Sequence, residues 1–134
     1  MALDYGRKRI GLALSDPLGI SAQPLGFFEM SPKIFLKLEE LIIEKQVIEI
    51  VVGYPKNLKG EVGTMAKEVD HFVNNFKKHT DIPIVLWDER LTTAQAEAML
   101  IDADVRRNKR KQIRDSIAAS LILQSYLAYK TRAI

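Results

Sequence analysis

The chain opens on short apolar blocks separated by turn residues and later changes to helical spacing. Ala2-Leu3-Asp4 predicts the end of a short strand, and Tyr5-Gly6-Arg7-Lys8 a turn. RIGLALS over residues 9–15 predicts the returning strand of a hairpin. Asp16-Pro17-Leu18-Gly19 has turn chemistry. Residues 22–30 predict a third strand, placed at a sheet edge because Pro24 and Gly26 interrupt it. Ser31-Pro32 reads as a helix N-cap followed by proline at the first helical position. Ile34, Leu38, Leu41 and Ile42 then recur at helical spacing, to about Lys45.

VIEIVV over 47–52 is β-branched, as in a buried strand. Gly53-Tyr54-Pro55 breaks it, and residues 56–63 read as a loop. Met65, Val69, Phe72, Val73 and Phe76 form the next helix face. Residues 82–87 predict a strand ending at Asp88-Glu89. Thr92-Thr93-Ala94-Gln95 matches a capping box for a helix carrying Ala96, Met99 and Leu100. After a basic stretch, Ile117, Leu121, Ile122 and Ser125 mark a last helix through about Tyr129, with Ala118 and Ala119 allowing close approach to a sheet.

The order is β-β-β-α-β-α-β-α-α. Strands joined by turns run antiparallel, and strands reached through helical crossovers run parallel. The expected fold is therefore α/β: a mixed five-stranded sheet, three antiparallel strands then two parallel, flanked by helices in one domain over 1–134. In such sheets sites lie at the carboxyl ends of the strands, where Asp4 and Asp88-Glu89 fall.

Composition narrows the chemistry. There is no Cys, hence no disulfide framework and no thiolate metal site. No run of about 18 apolar residues offers a membrane span, and the N-terminus lacks signal-peptide character. A cytoplasmic location is expected. His71 and His79, on one amphipathic pattern, read as surface residues, which argues against zinc. The net charge is +3, yet RRNKRKQIR over 106–114 alone carries six cations, so the remainder is slightly acidic. One concentrated positive patch is a footprint for phosphate backbones, with a solvated helix or loop face as the alternative.

Three acidic positions stand at the edges of apolar segments: Asp4, the Asp88-Glu89 pair, and Asp115 after the basic run. Each has an ordinary structural explanation: a turn Asp, a strand end paired with Arg90, a helix cap. Together they favour a site for Mg²⁺ or Mn²⁺, because hard cations take carboxylate oxygens and a metal pair can activate water and neutralise a phosphodiester. The catalytic set is Asp4, Asp88, Glu89 and Asp115, with Asp4, Glu89 and Asp115 as metal ligands. Period-two alternation leaves open which of Asp88 and Glu89 turns inward. Candidate nucleic-acid contacts are Arg7 and Lys8 in the first turn, Lys56 and Asn57 in the loop after the fourth strand, and Arg106, Arg107, Lys109, Arg110, Lys111 and Arg114. Trp87 reads as a core residue, with base stacking as the alternative.

Four blocks, LDYGRKRIGLALSD (3–16), VVGYPKNLKGEVG (51–63), WDERLTTAQAE (87–97) and KRKQIRDSIAASLILQSYL (109–127), together resemble the YqgF (RuvX-like) family over nearly the whole chain. The resemblance implies a ribonuclease-H-like fold and a nuclease. The family's two activities are 5′-end maturation of pre-16S ribosomal RNA and Holliday-junction resolution. It further implies that Asp4, the acid of the DER block and Asp115 bind metal. The leading expectation is a metal-dependent endonuclease on structured nucleic acid, pre-ribosomal RNA first and branched DNA second. A resolvase would normally require a dimer, and no sequence feature fixes the oligomeric state. Other classes are a noncatalytic nucleic-acid-binding module and a nucleotide-binding protein. Asp-x-Gly before a hairpin also resembles the phosphate loop of actin, sugar kinases and heat-shock chaperones, but those need two such lobes.

Overall fold

The computed structural model describes residues 1–55, 63–88 and 107–132, with side chains through residue 88 and from 116 to 130. The elements are β1 (Ala2–Tyr5), β2 (Arg9–Ser15), β3 (Ala22–Glu29), α1 (Ile34–Lys45), β4 (Ile50–Tyr54), α2 (Thr64–Phe76), β5 (Ile84–Asp88) and α3 (Arg107–Arg132). They build one five-stranded sheet in the order β3-β2-β1-β4-β5. The β1–β2 and β2–β3 pairs are antiparallel, and the β1–β4 and β4–β5 pairs are parallel. This is the expected mixed sheet, with interrupted β3 at an edge. The helix predicted from Thr92 lies outside the described residues, as do Lys56, Asn57, Glu89 and Arg106.

Strand alternation divides the core between two faces. On one, Leu3, Ile10, Leu12, Ile50 and Val52 meet Ile34, Leu38, Leu41 and Ile42 of α1 and Val69, Phe72, Val73 and Phe76 of α2. Phe35, Phe72 and Phe76 pack ring against ring, with centroids 5.3 to 5.9 Å apart. On the other, Ala2, Ala13 and Val51 meet Ala119, Ile122, Leu123 and Tyr126 of α3. Small side chains on that face let α3 lie close to the sheet, as Ala119 shows by its complete burial. Full burial of one large aliphatic or aromatic side chain stabilises by about 1.5–3 kcal/mol, so both layers matter to folding.

Several boundaries differ from those predicted. Helix α1 begins at Ile34, and the hydroxyl of Ser31 accepts from the Lys33 amide at 3.3 Å inside a preceding turn, so Ser31-Pro32 does not cap the helix. Gln46 ends α1 in the left-handed region (φ 54°), and the Gln46 and Val47 amides donate to the carbonyls of Ile43 and Ile42. That closure uses up residues 46–49, which is why β4 starts at Ile50. Gly53 and Tyr54 continue β4, because both pair with β5. The largest difference concerns α3. Residues 107–114 form its first turns, and Asp115 lies inside the helix rather than capping it. Apolar periodicity begins only at Ile117, but a helix whose later turns are packed propagates into a polar segment at little cost. His71 and His79 are exposed, as expected. Among the described residues no helix is long and apolar enough to cross a membrane.

The β1–β2 hairpin depends on Gly6. A Cβ at this position would stand 2.6 Å from the Arg9 carbonyl oxygen, a backbone atom that cannot yield without reshaping the turn. Gly6→Ala is therefore expected to destabilise the protein by about 1–3 kcal/mol, the usual range for steric overpacking. Urea unfolding measures this, and an unchanged midpoint would show that the turn relaxes freely.

Candidate functional site

Asp4 is the third residue of the central strand, level with Gly11 on β2. One step beyond the Leu3–Val52 pair it also comes level with Gly53 on β4. Gly11 in turn pairs with Phe27, and Gly53 with Trp87. One row across the sheet therefore reads Phe27, Gly11, Asp4, Gly53, Trp87. Alternation places the row on the α3 face, since Ala2, Ala13 and Val51 belong to it. Adjacent strands are about 4.8 Å apart. Glycine therefore stands level with Asp4 on both neighbouring strands.

The aromatic ends of the row are held in place. Trp87 donates from Nε1 to Ser125 Oγ at 3.2 Å, and its ring lies 5.5 Å from Tyr126 and 5.3 Å from Tyr129. It is half-buried, packed against the α3 side of the core rather than within it. At the other end the Arg9 guanidinium lies 5.2 Å over the Phe27 ring, a cation–π contact on the Asp4 face.

Helix α3 crosses this face above β1, β2, β3 and β4. Ser116 is 2% exposed, and its Oγ accepts from the Gly26 amide at 3.1 Å. The same hydroxyl faces the Leu12 carbonyl at 3.5 Å. Leu12 pairs with Leu3, the residue before Asp4. Ser116 thus meets the sheet one row from Asp4, and residues 107–115 precede it in the same helix.

Asp88 falls elsewhere. It pairs with Tyr54 and shares alternation with Ile84, which packs in the α1–α2 layer. Asp88 thus lies with the opposite face of the sheet from Asp4. On that face Tyr54 donates its hydroxyl to Asp70 Oδ2 at 2.9 Å, tying the end of β4 to α2. Arg7 is bound to Glu68 at 3.0–3.1 Å across the same edge, an exposed pair of small energetic value. Lys8 is exposed in the hairpin turn. Burial, with the Glu68 charge second, raises the Tyr5 phenol above the ordinary tyrosine value. Burial and then the Asp70 bond do the same for Tyr54.

Among the described residues no three acidic or imidazole side chains converge, and of the three candidate ligands only Asp4 has a described side chain. By its chemistry Asp4 nonetheless suits a metal ion, because a carboxylate is the donor a hard cation takes. Sequence reasoning missed Gly11, Arg9 and Ser116, and took Gly53 as the break after a strand. Their signal was cross-strand register, which a single strand's pattern does not carry.

A sequence profile described as "RuvX: Holliday junction resolvase" matches residues 1–129. The chain belongs to the RuvX family. It is 46% identical over 134 residues to a protein of Halothermothrix orenii, covering 98% of this chain and 96% of that one. It is 49% identical over 129 residues to one of Desulforamulus reducens, covering 95% and 94%. Both relatives are named "Putative pre-16S rRNA nuclease". Thermus thermophilus RuvC, solved in complex with a Holliday junction substrate, superposes with a TM-score of 0.57 at 13% identity, covering 97% of this chain and 93% of that one. The RuvX-family chain therefore shares the ribonuclease-H-like fold that the four sequence blocks implied.

The Tyr54–Asp70 bond makes a spectroscopic prediction. Tyr54→Phe should remove from an ultraviolet pH titration one phenol that ionises above the ordinary value of about 10. Asp70→Asn should bring that phenol down, because the neutral amide no longer opposes its anion. A titration identical in wild type and Asp70→Asn would show that the bond does not persist in solution.

Proposed function

We propose that this protein is a divalent-metal-dependent endonuclease that hydrolyses phosphodiester bonds in structured RNA, and that its substrate is the 5′-extended precursor of 16S ribosomal RNA in the cytoplasm. The observation that carries this reading is the Asp4 row, a strand-end carboxylate between two glycines beneath the helix that bears Asp115 and the basic run. The names of relatives that match along nearly their full length support the RNA substrate.

Asp4, Glu89 and Asp115 are the proposed ligands. All three are carboxylates, the donor set suited to Mg²⁺ or Mn²⁺ and poorly suited to thiophilic metals. Asp88 is the weaker candidate, because its strand position belongs to the α2 side. When bound, such ions activate water and neutralise charge at the phosphate. The protein's own contribution is to hold the carboxylates and to fix the substrate backbone.

Helix α3 accounts for that grip. Its first turns carry Arg107, Lys109, Arg110, Lys111 and Arg114. Cations near a helix N-terminus oppose the helix dipole, costing about 0.3–1 kcal/mol each at the surface. A polyanion bound against them removes that penalty. Arg106, Lys56 and Asn57 are proposed contacts of the same backbone, and so are Arg7 and Lys8 beside the hairpin turn.

The profile description and the junction-bound RuvC favour a second reading, resolution of four-way DNA junctions. Cleavage of a 5′-extended 16S precursor and of a four-way DNA junction, each with Mg²⁺, Mn²⁺ or EDTA, separates the two. RNA trimming that needs metal establishes the first, and paired symmetric nicks in DNA establish the second together with a dimer.

Asp4→Asn and Asp115→Asn should each reduce metal-dependent cleavage beyond the about 10–100-fold typical of losing a mere supporting partner. Cleavage within tenfold of wild type in either variant would sink the ligand assignment. Replacing Lys109, Arg110 and Lys111 together by Gln should weaken binding whatever the sequence. It should also flatten the dependence of log affinity on log salt by about 2–3, since each lost phosphate contact removes about 0.7–0.9. An unchanged slope would place the substrate elsewhere.

A further inference from the structure

The edge strand β3 carries an irregularity that no sheet needs. Its register on β2 shifts between Leu12 and Ala13, which pair with Gly26 and Pro24, so Leu25 is the extra residue of a bulge. Gly26 sits at φ +102°, a conformation costly for other residues. Its amide is turned to α3, where Ser116 Oγ accepts it at 3.1 Å. Buried donors must be paired, and here the partner belongs to the helix rather than to a strand. The hydroxyl's other contact, the Leu12 carbonyl at 3.5 Å, is on the β2 residue opposite Gly26.

We propose that this bulge-to-helix latch makes Ser116 a positioning residue for the metal centre: it fixes the height and rotation of α3 over β1, and hence the place of Asp115 relative to Asp4. The inference rests on the reading of Asp4 and Asp115 as metal ligands and adds the element that sets their separation. Apolar packing alone leaves a helix free to slide or rotate by small amounts, whereas a directional bond to a fixed backbone amide does not. The latch lies one residue from Asp115 and one row from Asp4, where a small shift of the helix matters most. Farther along α3, Gln124 accepts from the Ala22 amide at 3.2 Å, too far from Asp115 to control its turn.

The same helix provides an internal control. Ser120 is also buried, at 3% exposure, but its hydroxyl donates to the Ile117 carbonyl at 2.7 Å within its own helix. Ser116→Ala and Ser120→Ala therefore remove chemically equal groups, and only the first cuts a link to the sheet. Mn²⁺ binding to the purified full-length protein, without nucleic acid, is measured by calorimetry for wild type, both variants and Asp115→Asn, alongside thermal unfolding of each apo protein. The expected result is Mn²⁺ affinity about tenfold weaker in Ser116→Ala, comparable to losing a supporting partner of a metal ligand, and unchanged in Ser120→Ala. Ser116→Ala should also require about tenfold more Mn²⁺ for half-maximal cleavage, with the saturated rate largely restored.

Equal affinities in wild type and Ser116→Ala, with Asp115→Asn impaired, would overturn the latch while leaving the ligand assignment standing. Equal losses in both serine variants would overturn it as well, since general loosening of the helix then explains them. Mn²⁺ binding that ignores Asp115→Asn would instead remove the reading on which the latch rests. Should Ser116→Ala fold poorly, Ser116→Thr keeps the hydroxyl and is expected to restore Mn²⁺ affinity. A folded Ser116→Thr protein as weak as Ser116→Ala would overturn the latch.

Discussion

A carboxylate on the central strand of a sheet covered on both faces is costly unless something pairs with it. That constraint governs the rest of this molecule. Asp4 follows Leu3, which is completely buried, and lies between β2 and β4 near the carboxyl end of β1. The strands on either side respond with glycine at the same level. Among the described residues of the covering helix, the buried side chains run from Ser116 to Tyr126. Asp4 itself is only partly buried, at the margin of the core.

Much of the fold was legible because the hydrophobic period changes cleanly along the chain. RIGLALS alternates into two buried layers, and its limits match β2. Pro24 and Gly26 marked β3 as an edge strand, where a missing donor and a bulge are tolerated. Boundaries failed where tertiary context decided them. Residues 47–49 look like strand by β-branching, yet a left-handed Gln46 spends them on closing α1. The basic run looks like a connector by composition, yet the packed turns after it extend helix through it.

The site was legible in part for the same reason. Acids at strand ends can be found from a sequence, and Asp4 does lie near the end of β1. Their partners across the sheet cannot, because register is fixed by pairing among segments distant in the chain. Gly11 reads as an ordinary strand glycine, and Gly53 as the break after a strand, until both are seen level with Asp4. Ser116 reads as one polar residue in an apolar helix until the bulge supplies its donor. The Asp88-Glu89 ambiguity came from the same source, and the pairing of Asp88 with Tyr54 reduces it by giving Asp88 to the α2 side.

Asp4 and Asp115 are more than a hundred residues apart in sequence, and this separation links chemistry to folding. The β1–β2 hairpin forms from local contacts, but residues 4 and 115 join one folded unit only when β4 has paired with β1 and α3 has docked on the assembled sheet. A metal ion bound by both would then favour the fully docked state over any intermediate lacking α3. The same helix presents the cations proposed to grip the substrate. Backbone binding on its first turns would therefore press on the element that carries the proposed ligand Asp115, and substrate and metal should each strengthen the other's binding through the seating of α3. A basic segment tethered flexibly to the sheet could supply the same charge, but it could not transmit that coupling.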